Sequence, residues 1–133
     1  MKILLPPQWA KPRGFANGVA VKGGTTVYVA GQVGWKGEGA WEARDFVGQF
    51  RQALRNVLEV LAQAQGRPEH IVRLTWYVVD RDEYLASLKA VGEAYRELMG
   101  RHYPAMSVVQ VDALVESLAR LEIEATAVIP DSF

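Results

Sequence analysis

The sequence predicts an α+β domain with the element order β-β-α-β-α-β-β, in which a mixed sheet carries two helices on one face. Two stretches place apolar residues every three to four positions, which is the spacing of amphipathic helices. Five other stretches are rich in β-branched residues or alternate apolar and polar positions, as strands do. The 133 residues match the commonest size of one domain, and no linker or repeat divides residues 1–133.

The first two strands are predicted to form a β-hairpin. Residues 16–22 and 25–31 flank the pair Gly23-Gly24, and consecutive glycines tolerate the positive φ angles that a two-residue hairpin turn requires. A proline-broken arm precedes the hairpin. The glycine-rich stretch VGWKGEGAW follows it and is predicted to be a loop anchored by Trp35 and Trp41.

A long amphipathic helix is predicted from Glu42 to Gln65, ended by Gly66 and Pro68. Its apolar positions recur at helical spacing and are Phe46, Phe50, Leu54, Val57 or Leu58, and Leu61.

Residues 70–79 (HIVRLTWYVV) then return to strand character. A second helix begins at Asp80 and Glu83, which have the spacing of a capping box, and it ends at Gly100. The last two strands are predicted at 105–111 and 118–129, and the final strand has one wholly apolar face.

The sheet face that the helices leave uncovered is predicted to meet another subunit. In strand 70–79 the helix-facing set is predicted to be Val72, Leu74, Trp76 and Val78. The opposite set is Ile71, Arg73, Thr75, Tyr77 and Val79. Because the second set is too apolar for open water and too mixed for the core of a monomer, we expect a partner subunit to pack against it.

The charge balance and the N-terminus argue against nucleic acid and membranes as partners. The 15 basic side chains are matched by 15 acidic ones, so the clustered positive charge that binds nucleic acid is missing. The N-terminus MKILLPPQWA has too short an apolar run for a signal peptide or a membrane span. We therefore expect a cytoplasmic protein.

The residue types exclude several kinds of catalytic site. There is no cysteine, and His70 and His102 lie too far apart for a two-histidine metal motif, so no metal and no cofactor are predicted. The Walker A, GxGxxG, GxSxG and HExxH motifs do not occur. A pair of carboxylates remains, because Glu122 and Glu124 lie on the same face of a strand with Cα atoms ~6.5 to 7 Å apart. They could perform acid and base chemistry at a subunit interface, or they could be a solvent-facing pair.

Five segments, in order along the chain, together resemble the reactive intermediate deaminase (Rid, YjgF-like) family. They are VYVAGQVG, QFRQALRNVLEVL, IVRLTWYVVD, PAM and LEIEATAVI. The resemblance spans roughly residues 14–130. It implies a chorismate-mutase-like fold, a homotrimer, and clefts between subunits in which small metabolites bind. A trimer would also cover the second face of the sheet.

The resemblance also implies roles for individual residues. In deaminating members of the family, a glutamate near the start of the final strand positions the water that hydrolyses an imine or enamine to a keto acid and ammonia. Glu122 matches that glutamate. Gly31 and Gln32 match a glycine-glutamine pair of the cleft, while Ala30 replaces a frequent serine.

Three further cleft positions depart from the deaminating pattern. Phe15 stands in place of a tyrosine, Val108 in place of a cysteine, and Met106 in place of the arginine that binds the substrate carboxylate. Methionine is polarizable and adaptable but has no charge and no forked donors. Losing a charge-assisted, bidentate hydrogen bond is expected to weaken binding of a small amino-acid-derived substrate by ~10 to 1000-fold.

Two readings of Met106 remain open. It could line a cleft suited to a less anionic or more apolar ligand, or it could simply fill core space. Arg73, Arg101 or His102 could replace the missing cation from a neighbouring chain.

The leading hypothesis for function is a Rid-like homotrimer that binds a small metabolite between subunits, with weakened imine or enamine hydrolysis. The alternatives are a non-catalytic metabolite-binding or regulatory module and an RNA-directed translation inhibitor or ribonuclease. The neutral charge and the absence of a catalytic histidine pair argue against the RNA-directed role.

Overall fold

A computed structural model of the chain describes residues 1–37 and 39–131. Glu38, in the predicted glycine-rich loop, and residues 132–133 lie outside the described part. A short 3₁₀ turn, Pro68–His70, precedes the fourth strand. The strands and helices in chain order are β1 Lys2–Leu4, β2 Gly18–Ala20, β3 Thr25–Val33, α1 Phe46–Ala62, β4 Ile71–Val78, α2 Arg81–Ala86, α3 Leu88–Met99, β5 Ala105–Gln110 and β6 Leu121–Ile129.

The main sheet has four strands in the order β3-β6-β4-β5. Strand β6 pairs antiparallel with β3 and with β4, whereas β4 and β5 are parallel, so the predicted mixed sheet is confirmed. The apolar face of β6 is buried against the helices through Leu121, Ile123, Ala125 and Ala127. The intervening Glu122 and Glu124 therefore lie on the outer face.

The predicted hairpin between the first two strands is wrong. Strand β2 pairs with β1 from the N-terminal arm in a separate two-stranded sheet, while β3 pairs with β6. Gly23 and Gly24 do adopt positive φ angles of 66° and 80°. Gly24 is required by a close approach, because a Cβ atom there would lie 2.5 Å from the carbonyl oxygen of Ile129.

Helix α1 begins later than its apolar pattern predicts. The Asp45 carboxylate accepts a hydrogen bond of 3.1 Å from the Gly48 N–H and so caps the helix at this point rather than at Glu42. The helix ends at Ala62, and a turn leads to Gly66. The predicted apolar face is confirmed, because its central residues are fully buried: Phe50, Leu54, Val57 and Leu61.

The second predicted helix is two helices, α2 and α3. Asp80 caps α2, accepting hydrogen bonds from the N–H groups of Asp82 and Glu83. The backbone leaves helical geometry at Ser87, with φ −104° and ψ 6°, and the Ser87 hydroxyl donates to the Glu83 carbonyl at 2.8 Å. A serine that bonds back to the preceding turn competes with the helical hydrogen bonds, which explains the break.

Strand β4 departs from regular alternation at its start. A register shift between Ile71 and Arg73 turns Ile71 fully into the core and leaves Val72 only half-buried. The predicted facing is therefore wrong for Ile71 and Val72. It is right for Leu74, Trp76 and Val78, which are buried with the helices.

Strand β6 begins at Leu121 rather than at residue 118, because a buried amide holds the residues before it. The Gln49 side chain donates to the Leu118 carbonyl at 2.9 Å and accepts from the Arg120 N–H at 2.8 Å. Helix α1 thus fixes the point at which β6 starts. Glu122 is the second residue of this strand.

Candidate functional site

A cavity of about 580 Å³ lies among strand β5, helix α3 and the segment before β2. Its lining is mainly aromatic and aliphatic, with two arginines. The lining residues are Arg13, Gly14, Phe15, Trp76, Tyr84, Leu88, Val91, Gly92, Tyr95, Arg96, Tyr103, Met106 and Val108.

The structure brings Phe15, Met106 and Val108 together in this cavity. Met106 and Val108 lie opposite Leu74 and Trp76 in the parallel β4–β5 register, so both point to the helix face. They are half-buried and pack against the core. Met106 therefore does both things that the sequence left open: it packs against the core, and it forms part of the cavity wall.

Aromatic rings make up much of the cavity wall. The rings of Tyr95 and Tyr103 are stacked, with centroids 5.3 Å apart and planes 9° from parallel. The Tyr95 hydroxyl donates to the His102 carbonyl at 2.6 Å, and burial raises the pKa of Tyr95, so its ring stays neutral. Tyr84 lies on α2 and Tyr95 on α3, whereas Tyr103 follows α3, and no local sequence pattern predicts that it reaches them.

The positive groups at the cavity are Arg13 and Arg96, which the sequence did not single out. The three candidates for a replacement cation lie elsewhere in the chain. Arg73 lines an outer-face groove, and Arg101 lines a second depression beside the N-terminal segment. The His102 ring nitrogen Nε2 lies 2.7 Å from the Ile71 carbonyl oxygen and is engaged there.

The two glutamates of β6 share the outer face but have different partners. Glu124 accepts a hydrogen bond of 2.6 Å from the Tyr77 hydroxyl, and this bond raises the pKa of Tyr77. In the described part of the chain, no side chain donates a hydrogen bond to Glu122. Of the two carboxylates, Glu122 is thus the one available to a water or a ligand.

Strand β3 supplies the surroundings of Glu122. A Cβ atom on Gly31 would lie 2.4 Å from Oε2 of Glu122, so only glycine lets this carboxylate pack against β3. A register shift between Val29 and Gln32 bends the strand at this point, and the Gln32 side chain donates to the Ala30 carbonyl at 3.2 Å. Ala30 lines the outer-face groove.

The predicted site residues thus fall into two groups within one chain. Phe15, Met106 and Val108 line the helix-face cavity, whereas Gly31 and Glu122 meet on the other side of the sheet. Among residues 1–37 and 39–131, no three His, Asp or Glu side chains cluster as metal ligands would. Within the same ranges no helix is long and apolar enough to cross a membrane.

Comparison with known proteins identifies the family to which this fold belongs. The family model described as Endoribonuclease L-PSP matches residues 12–129. The goat (Capra hircus) protein named 2-iminobutanoate/2-iminopropanoate deaminase is 32% identical over 104 residues, which cover 77% of this chain and 72% of that protein.

Two crystal structures extend the comparison to the fold. The Yersinia pestis protein YyfB, described as a member of the conserved Rid protein family, superposes with a TM-score of 0.85 at 33% identity, covering 96% of this chain and 98% of that one. Escherichia coli TdcF with bound serine gives a TM-score of 0.68 at 29% identity, covering 98% and 100% of the two chains. With its mixed sheet, three helices and these matches, the chain belongs to the Rid family.

Proposed function

We propose that the protein is a homotrimer that binds a small metabolite in clefts between its copies and hydrolyses imines or enamines only slowly. One observation carries the proposal. Phe15, Met106 and Val108, the positions with apolar replacements, line one cavity, while the Glu122 carboxylate, which accepts no side-chain hydrogen bond from the described residues, lies on the opposite sheet face. The glutamate proposed to activate water is retained, whereas the arginine that would bind a small carboxylate is replaced by Met106.

A second copy is needed because the sheet separates Met106 from Glu122. The two side chains cannot meet around one small ligand unless Met106 of one copy faces Glu122 of another. The outer face also exposes apolar groups that a partner would cover, since Tyr28 is 79% exposed and Val109 is 43% exposed. The serine bound to TdcF shows that a protein of this fold can hold a small amino acid.

The chemistry proposed for Glu122 is base catalysis by its carboxylate. Glu122 accepts a proton from a water molecule as the water oxygen bonds to the imine carbon, and the C=N double bond becomes a single bond. The nitrogen takes up protons, including the one held by Glu122, and leaves as ammonia while the carbonyl forms. Imine and water are thereby converted to a keto acid and ammonia without a cofactor.

Met106 limits this reaction by weakening substrate binding. The side chain offers dispersion contacts to an apolar group but no donor to a carboxylate. Binding of 2-iminopropanoate is therefore expected to be ~10 to 1000-fold weaker than with an arginine at this position. In the limit, the cleft binds its metabolite without turnover and serves as a binding or regulatory module.

The proposal is tested by restoring the cation. Met106→Arg should increase ammonia release from enzymatically generated 2-iminopropanoate at least about tenfold, whereas Met106→Leu, the matched apolar control, should leave it unchanged. The gain should disappear when Glu122→Gln is added to Met106→Arg. Titration calorimetry with pyruvate measures affinity separately, because the new guanidinium could pair with Glu122 and bind without turnover.

Robust wild-type turnover that Glu122→Gln abolishes would show that another residue already supplies the cation, and the role proposed for Met106 would be wrong. Tight metabolite binding without any ammonia release from the wild type or from Met106→Arg would leave the binding module in its place.

A further inference from the structure

We propose that the helix-face cavity binds a carboxylate with an aromatic body, and that Arg96 supplies the positive charge that Met106 lacks. The inference rests on the proposed function for placing a ligand at the Met106 wall. It goes further by naming the class of ligand and the residue that selects it. Three observations carry it: the shape and lining of the cavity, the position of Arg96, and an unpartnered donor on Trp76.

The cavity fits an aromatic body better than a short imino acid. Its volume of about 580 Å³ lies within the range of small-molecule sites and exceeds what a three-carbon ligand fills. The stacked rings of Tyr95 and Tyr103 offer flat apolar surface, and the Met106 thioether makes favourable contacts with an aromatic ring. Val108 and Val91 complete the apolar wall.

Arg96 is placed to bind an anion at this wall. It lies on α3 one turn after Gly92, and its Nη1 atom would be 3.4 Å from a Cβ atom at that glycine, so the guanidinium folds back along the helix over Gly92. Both residues line the cavity. In the described residues Arg96 has no carboxylate partner, in contrast with Arg51 and Arg120, which pair with glutamates.

Trp76 provides an independent indication of a ligand. Its side chain lines the cavity, the residue is 4% exposed, and within the described residues its indole N–H has no hydrogen-bond acceptor. Buried donors in native proteins nearly always have an acceptor, and one that lacks it requires an explanation. An acceptor oxygen on a ligand in the cavity would provide the missing partner.

The test uses phenylacetate as the probe, with phenylacetamide and acetate as its uncharged and ring-free counterparts. Titration calorimetry of the wild-type protein should detect phenylacetate binding, with both counterparts at least about tenfold weaker. Arg96→Gln should weaken phenylacetate binding about tenfold or more, since it removes a charge-assisted hydrogen bond. Arg96→Lys should bind phenylacetate with an affinity between those of the wild type and Arg96→Gln, because lysine keeps the positive charge but lacks the paired N–H donors of the guanidinium.

Two controls separate this effect from a general loss of charge or fold. Arg55→Gln removes an exposed arginine of α1 that does not line the cavity, and it should change the affinity by less than about twofold. In a ¹H–¹⁵N spectrum, phenylacetate should shift the indole N–H resonance of Trp76 more than those of Trp9, Trp35 and Trp41.

Equal affinity for phenylacetate and phenylacetamide, or an Arg96→Gln variant that binds as the wild type does, would overturn the inference. Absence of phenylacetate binding would overturn it as well. Ammonia release by Met106→Arg is measured without phenylacetate, so that gain in a protein that does not bind phenylacetate would overturn this inference and leave the proposed function standing.

Discussion

Gly31 determines where the Glu122 carboxylate can lie on the outer face of the sheet. The Glu122 side chain packs directly against the backbone of β3 in the space that a side chain would otherwise occupy. Any larger residue must push the carboxylate away, and the position of a catalytic base within hydrogen-bond reach of its water sets its efficiency. The geometry of Glu122 therefore depends on a residue that has no chemistry of its own.

Replacing this glycine should displace the Glu122 carboxylate at little cost in stability. In Gly31→Ala the new Cβ atom would lie 2.4 Å from Oε2 and 2.7 Å from Cδ of Glu122, contacts that require the side chain to move. Because Gly31 is exposed and the atoms that must move belong to a flexible side chain, we expect the free energy of unfolding in urea to change by less than about 1 kcal/mol. In the Met106→Arg background, ammonia release from 2-iminopropanoate should instead fall at least about tenfold, because the base is displaced from its water. Gly37→Ala is the matched control, since a Cβ atom there meets nothing within 4 Å. Equal ammonia release by the two variants in that background would show that Gly31 does not position Glu122.

At the residue scale, the sequence could identify Met106 and Glu122, but not most of the residues that line the cavity. Glu122 and Met106 stand out because short motifs surround them. Arg13, Arg96 and Tyr103 carry no such signal, since the fold brings the segment before β2 to the distant region between α3 and β5 to form one cavity. Only the packing of α3 against the sheet decides which of the many arginines and tyrosines reach the cavity.

At the scale of elements, the connection between α1 and β6 positions the outer-face glutamates. The Gln49 side chain is fully buried and bonds to the backbone on both sides of Ala119. These bonds satisfy groups that would otherwise be orphaned where the chain enters β6. Because Glu122 lies near the start of that strand, its position depends on this amide.

Removing the Gln49 amide should lower the free energy of unfolding, because two backbone groups lose their hydrogen-bond partner. Gln49→Leu leaves the Leu118 carbonyl and the Arg120 N–H without their partner. Each of these partly buried hydrogen bonds contributes about 1 kcal/mol, so we expect about 2 kcal/mol of lost stability. Gln63→Leu makes the same chemical change at an exposed position after α1 and should stay within about 0.5 kcal/mol of the wild type. Urea unfolding of both variants measures the difference, and similar losses in the two would refute the bridging role.

The order and type of most elements follow from the sequence, whereas their pairing does not. Apolar periodicity defines α1 and the buried face of β6, because those signals are local. The partner of β2 cannot be predicted from the local sequence, because it depends on whether β1 or β3 lies beside β2 in the folded chain. The shift at Ile71 likewise depends on the strand beside it.

At the scale of the whole molecule, one sheet separates the two halves of the proposed site. The apolar cavity lies on the helix face and Glu122 lies on the outer face, so in the proposed trimer a single chain would present each half to a different neighbour. Three copies arranged around an axis would let every chain contribute Met106 to one cleft and Glu122 to the next. In such a trimer, hydrolytic activity and ligand specificity would both depend on assembly.

The most direct test of the central claim is the mass of the protein in solution. Sedimentation equilibrium at micromolar concentration should report about three times the chain mass of 14.8 kDa, with no folded monomer. A substitution that places a charge on the exposed apolar outer face, such as Val109→Asp, should lower that mass and abolish metabolite binding together. A stable, folded monomer of the wild-type protein would contradict the proposed trimer, because Met106 and Glu122 of one chain cannot form the cleft.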